Sequence, residues 1–421
     1  MGITRAHRSN HARRLAWRAT LGAGLVASFL TGGFASTSRA GPHIDAATAT
    51  EAIASTPSSN ERSAPKRRVD LETPTFSNPT RITNRLFPIS RLTQVIQLGH
   101  EADETLRHEI TLLDETKFVR WNGQRVETLV SQFVAYADGR VVEIAVDFFA
   151  QADDGSVWYF GENVDNYVDG VIDNHDGTWL AGRDGPPGMI MPANPQVGDV
   201  YRPENIPGLV FEEVTVKRIN QTVAGPRGPV RGAILVQERL QDGVLEDKVF
   251  APGYGEFEAS VPVEDELVTV AVAAPTDVLG HSEPRRLERL ADTAAELFDD
   301  AASQRWSKLE ATVGRMTATW DRYHRDVPPL LEGQMTDALD ALQSAVDNRD
   351  RDELRQAVIN VGHAVHDVDL QFESPDEIDE DRIDVWHQQL RLDRAAHDVT
   401  SVAGDRAILG AIADRIGCRE L

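Results

Sequence analysis

The sequence predicts a segregated α+β fold: an antiparallel β-meander or open-barrel domain followed by an antiparallel helical bundle. Two observations carry most of the prediction. Residues 141–149 (VVEIAVDFF) alternate side chains at a period of two, and Asp153-Asp154-Gly155 then returns the chain into an apolar run at 157–160. That is a strand-turn-strand pattern, because Gly and Asp tolerate the backbone angles a tight turn needs. After about residue 280 the rhythm changes to 3.6, with apolar residues at helical spacing to the end of the chain, as amphipathic helices require.

The N-terminus comes first in order. Residues 1–40 carry six Arg and no acidic residue, an apolar run at 19–34, and Ser38-Arg39-Ala40. This reads as a signal peptide for export, with an uncleaved anchor as the alternative. Arg13-Arg14 ahead of Trp17 hints at a twin-arginine signal, but Sec export fits better. The expected location is therefore secreted or in the cell envelope, with membrane contact only through an uncleaved N-terminal segment. Residues 41–80, rich in Ala, Ser, Thr and Pro, read as a disordered tether.

The β domain is expected over 81–280. Asn122-Gly123 between apolar runs is the signature of a two-residue hairpin of type I′, and Asp138-Gly139 makes the next turn. Further strands are expected at 94–99, 107–113, 179–182, 189–191, 211–219, 232–238, 245–250 and 266–273. The helical bundle is expected over 281–421. Residues 285–324 form one long helix or two, and others cover 330–346, 352–372, 378–402 and 405–416.

Charge and composition exclude several functions. The 421 residues carry a formal charge of −24, and those after residue 40 hold 37 basic against 67 acidic side chains, a net of −30. A phosphate-binding footprint needs the opposite sign, so nucleic acid is not an expected partner. The single cysteine, Cys418, excludes internal disulfides, covalent haem and cysteine-rich metal sites. There is no Gly-x-Ser-x-Gly, phosphate loop or dinucleotide fingerprint.

Several segments carry a resemblance. Trp158 to Glu162 reads WYFGE, and an acidic stretch around Asp165 and Tyr167 follows. Then come Gly177-Thr178-Trp179, the block 182–202 (GRDGPPGMIMPANPQVGDVYR), and FAPGYG at 250–255. This stretch resembles a family of uncharacterised exported bacterial proteins with a WYFGE…GxW…PGxxMPAxPxVGDxYR β domain. One departure is RPENIPG after Tyr201, where Gln-Glu precedes the Pro-Gly in that family. DVDLQF at 367–372, Ile378-Asp379, Trp386 and Gln388-Gln389 look like helical domains of similar exported proteins. The resemblance implies an envelope or secreted protein with a β domain joined to a helical one, and it carries over no catalytic residue.

Candidate sites follow from residue chemistry. Trp158, Tyr159, Glu162, Tyr167, Trp179 and Tyr201 crowd one region and could line a ligand groove, or simply fill the sheet core. Asp393 and His397, four apart on one helix, could point into the bundle with Asp321, His324 and His366 and hold a transition metal ion. A hydrogen-bonded buried pair is the plainer reading. His363 falls nearly opposite the apolar stripe, which predicts a solvated imidazole. Met189 and Met191 share a strand face and suit Cu(I), or fill core gaps. Asp173 to Gly177 has a calcium-loop flavour but reads better as a turn. No catalytic residue is assigned and no cofactor is required. The expected function is non-enzymatic binding of an envelope protein or small ligand. A metal-binding protein and a hydrolase of an envelope substrate are the alternatives.

Overall fold

The computed structural model describes residues 65–417. The signal segment, residues 41–64 of the tether and Cys418 lie outside that range. The first half of the sheet runs β1 (Arg67–Arg68), β2 (Gln94–Glu101), β3 (Glu104–Trp121), β4 (Gln124–Ala137), β5 (Arg140–Gln151), β6 (Val157–Val168), β7 (Val171–Asn174), β8 (Trp179–Leu180) and β9 (Gly188–Met191). It continues through β10 (Asp199–Tyr201), β13 (Glu213–Gly225), β14 (Gly228–Arg239), β15 (Leu245–Ala251), β16 (Gly255–Val261) and β17 (Glu266–Ala274); β11 (Asn205–Ile206) and β12 (Val210–Phe211) make a separate ribbon.

These strands form one 15-stranded sheet in the order β1-β10-β13-β14-β15-β16-β17-β2-β3-β4-β5-β6-β7, with β8 and β9 also on β6. All pairs are antiparallel except β1 with β10. The turns behave as the dipeptides dictate: Asn122 and Gly123 have φ of 49° and 73°, and Asp138 and Gly139 have 47° and 71°. Positive φ at both positions is the type I′ turn, whose twist matches that of paired strands. The sheet curls without closing into a barrel. Phe148, Tyr159 and Met191 from one end share a core with Tyr201, Val214 and Val236 from the other.

Residues 65–80, expected within the tether, belong to the fold. Arg67 and Arg68 pair with β10, and Phe76 meets Phe160 edge-on at 5.3 Å. Asp153 accepts from the Ser77 N–H at 2.8 Å. Composition suggests disorder because apolar residues are sparse there; Val69 and Phe76 nevertheless pack on the sheet core, while Leu71 stays exposed.

Six helices follow: α1 (Arg285–Asp300), α2 (Trp306–Tyr323), α3 (Pro329–Asn348), α4 (Arg351–Asp369), α5 (Pro375–Ala395) and α6 (Val399–Arg415). The run at 285–324 is two helices, broken where Gln304 takes φ 51°. α5 opens on a capping box of Ser374 and Glu377. The expected helix over 378–402 stops early. His397 adopts φ 57°, and Asp398 caps the next helix by accepting from the Ser401 N–H, a local signal that outweighs the apolar periodicity.

The helices are segregated along the chain but share cores with the sheet. Ile96, Ala271 and Val272 of β2 and β17 pack with α1 to α5. Val134, Tyr136, Val141 and Tyr167 pack with Trp386, Leu390, Ile408 and Ile412. Between these apolar regions lies a buried ion network. Arg107 of β3 pairs with Asp367 of α4 and with Glu109 at 2.9 Å. Arg382 of α5 reaches Asp367 at 2.9 Å, Asp379 at 3.1 Å and the Gln94 side chain at 2.7 Å. Arg415 of α6 reaches Glu109 at 2.9 Å and Asp379 at 3.2 Å. Burial alone would raise the Glu109 carboxyl; Arg415, Arg107 and Arg382 outweigh it and hold it below the usual carboxylate range.

Candidate functional site

The curled sheet buries most of the aromatic residues proposed as a groove. Residues 157–162 of β6 are buried on both faces. Trp158 donates to the Ser156 hydroxyl at 2.8 Å, and Tyr159 donates to Asp147 at 2.7 Å. Trp179 donates to Glu204 at 2.8 Å, and Tyr201 is fully buried. Glu162 is also fully buried, and burial next to Glu204 raises its pKa well above normal. Two acids buried close together away from water cannot both stay ionised, so the protonated form is favoured. These five residues therefore form core instead of groove, because the sheet ends fold over each other. Met189 and Met191 are buried in the same core. Asp173 and Asn174 end β7 and His175 to Gly177 turn the chain, with Asn174 Oδ1 accepting from the Asp176 N–H at 2.9 Å.

The metal candidates sit apart, each with its own surroundings. Asp321 and His397 are exposed. His324 faces Glu332 at 2.6 Å, and buried His366 faces Asp369 at 3.3 Å. Asp393 accepts from Arg140 at 2.7 Å and from Gln389 at 3.0 Å. His397 does not point inward with Asp393, since α5 ends before reaching it. Among the described residues no group of three or more His, Cys, Asp or Glu side chains is arranged to hold a metal ion. His363 is not solvated: its ring lies 5.1 Å from Trp386, and burial pushes its pKa down to about 3.

Tyr167 alone of the aromatic set lines an open cavity. This cavity, of about 250 Å³, lies where two hairpin tips meet α5 and α6. The β4–β5 turn brings Asp138 and, just after it, Arg140. The β6–β7 turn brings Asp169 and Gly170; α5 supplies Trp386, and α6 supplies Asp405 and Ile408. Trp386 is held flat against Tyr136, with centroids 5.9 Å apart and planes 17° apart.

Gly170 allows the close fit, with Gly404 facing it across an ordinary contact. Gly170 has φ 73°, and a Cβ there would fall 2.0 Å from the Thr400 carbonyl oxygen; one on Gly404 would lie 3.5 Å from the Gly170 Cα. Gly170→Val is therefore expected to push the hairpin off α6, distort the cavity and cost about 1–3 kcal/mol, read as a lowered urea midpoint. Wild-type stability in that variant would mean the contact is dispensable.

The rim is negative. Glu104, Asp138, Asp169 and Asp405 line it against the single base Arg140. Arg140 spans Asp393 at 2.7 Å and Asp405 at 3.5 Å, with its side chain 43% exposed. Burial, and then the neighbouring Asp393, push the Asp405 pKa up to about 7, so Asp405 holds a proton at lower pH. The Thr400 and Ser401 hydroxyls bond Asp398 at 2.7 and 3.0 Å. Trp386 and Tyr167 line the cavity beside the rim carboxylates, the two kinds of group that a cation–π site combines.

Sequence reasoning missed Arg140, Asp405 and Gly170. Asp169-Gly170 between Val168 and Val171 is itself a hairpin signal. Nothing local marks Arg140 and Asp405 as neighbours, since they are far apart in the chain. Comparison with protein-family models, curated proteins and solved structures finds no match.

Proposed function

We propose that this chain is an exported, non-enzymatic binding protein that holds a positively charged organic group in the cavity between the hairpin tips and α6. The observation that carries the reading is one cavity lined by Tyr167 and Trp386 together with Glu104, Asp138, Asp169 and Asp405. At about 250 Å³ the cavity is smaller than pockets for drug-sized ligands, which start near ~300 Å³. It suits one cationic head group better than a whole large ligand. Thr400 and Ser401 are hydrogen-bonded to the helix-capping Asp398 and no histidine lines the cavity, which supports binding over nucleophilic chemistry.

The test uses butylammonium and its neutral isostere butan-1-ol, titrated into the full chain with tryptophan fluorescence as the readout. The ammonium is expected to bind, and Asp405→Asn to weaken it by about tenfold, roughly one lost charge contact at a partly buried site. Affinity is also expected to rise between pH 6 and pH 8, as Asp405 ionises near 7. Equal binding of the alcohol, or affinity falling over that pH range, would sink the reading.

A further inference from the structure

The cavity opens beside an edge of the sheet. Among the described residues β7 pairs with β6 and with no other strand. The turn residues Asp169 and Gly170 make Val168 and Val171 the hydrogen-bonded pair of the hairpin. By strand alternation the Ile172 N–H and C=O then point away from β6. Side chains here are also left open: Val171 is 56% and Ile172 46% exposed, and Val399 on the first turn of α6 is 77% exposed. Gly170 against the Thr400 carbonyl brings these residues to one corner. Edge strands are commonly kept short or guarded by charge or Pro; β7 is four residues, VIDN, whose one charge is the negative Asp173 and which has neither Lys nor Pro.

Charge selects the occupant. Asp165, Asp169, Asp173 and Asp176 run along this hairpin, and the cavity rim adds Asp138 and Asp405. An acidic or neutral strand would gain nothing from that field, whereas a basic one would be drawn to it. We propose that the β7 edge and the cavity together dock an extended basic segment of a partner protein, which adds a strand beside Ile172 and places a Lys or Arg side chain between Trp386 and Asp405. Main-chain pairing supplies general affinity and the cavity supplies selectivity, the division of labour seen wherever a peptide extends a sheet. The inference rests on the cation-binding reading and adds the kind of partner to it.

The experiment compares three labelled peptides of alternating Val and Thr, carrying Lys, norleucine or Glu at the centre, by fluorescence anisotropy with the full chain. The Lys peptide is expected to bind at least about tenfold tighter than the other two and tighter than butylammonium. Ile172→Pro removes the edge N–H and is expected to weaken the Lys peptide by about tenfold while leaving butylammonium within about twofold. A Lys peptide with N-methylated backbone makes the same test without altering the protein, and it too is expected to bind weakly. Butylammonium binding with no gain for the Lys peptide, or full affinity of the N-methylated peptide, would overturn the docking and leave the cavity reading standing. Failure of both probes would overturn both.

Discussion

Arg382→Met is expected to lower the unfolding free energy by about 3–5 kcal/mol, the usual cost of breaking a buried charge network by removing one partner. Arg382 is 1% exposed and touches Asp367, Asp379 and Gln94. It thus ties α5 to α4 and to β2. The network balances three arginines, Arg107, Arg382 and Arg415, against three carboxylates, Glu109, Asp367 and Asp379. Deleting one cation leaves a buried negative charge and an unpaired Gln94 oxygen. Methionine fills similar volume, so lost packing is a minor part of the effect. Urea denaturation at neutral pH checks it. A loss below about 1 kcal/mol, typical of surface pairs, would mean the network is wet and does not bind the helices to the sheet.

The second large effect is on stability against pH. Burial holds Asp147 to about 7, Glu204 to about 8 and Glu256 to about 7. Unfolded, such carboxyls release their protons near ~4. Between about pH 4.5 and pH 8 the folded state therefore binds more protons than the unfolded one, and stability falls as pH rises. Glu162, Glu212 and Glu246 act in the same direction, since burial raises each well above normal.

The buried histidines oppose them. Burial lowers His108 to about 4, His363 to about 3 and His366 to about 4, so their contribution is lost as pH falls below ~6.5. Glu109 and Asp367, held below normal by the arginines against burial, contribute stability that disappears at still lower pH. The carboxyls outnumber the histidines, so maximum stability is expected near pH ~5, with a decline on the order of several kcal/mol by pH ~8. Thermal melts across this range test it. A melting temperature that is flat or rises from pH 5 to pH 8 would show that water or cations reach the interior carboxyls.

Lys248 shows why those acids are tolerated at all. Its ammonium sits 2.6 Å from Glu238, 3.5 Å from Glu246 and 3.6 Å from Glu256. One cation cannot neutralise every acid on the inner face, so protonation of the others completes the balance. In the sequence these residues look like an ordinary solvated surface. Glu238 and Glu246 flank the turn at Asp242-Gly243, where charge is usual.

The linear chain by itself determined the order of strands and helices, the type I′ hairpins and the change of rhythm near residue 280. These depend on φ preferences and on side-chain alternation between neighbours a few residues apart, which is all that a local pattern records. Folding in three dimensions decided the rest. It drew Trp158, Trp179 and Tyr201 into a core, because the sheet curls until its two ends touch. It parted Asp393 from His397, because α5 ends at Ala395, between them, and His397 turns out of the helical path. It joined Arg140 to Asp405 across 265 positions, an encounter set by two hairpin tips seating on α6 and by the missing side chain of Gly170.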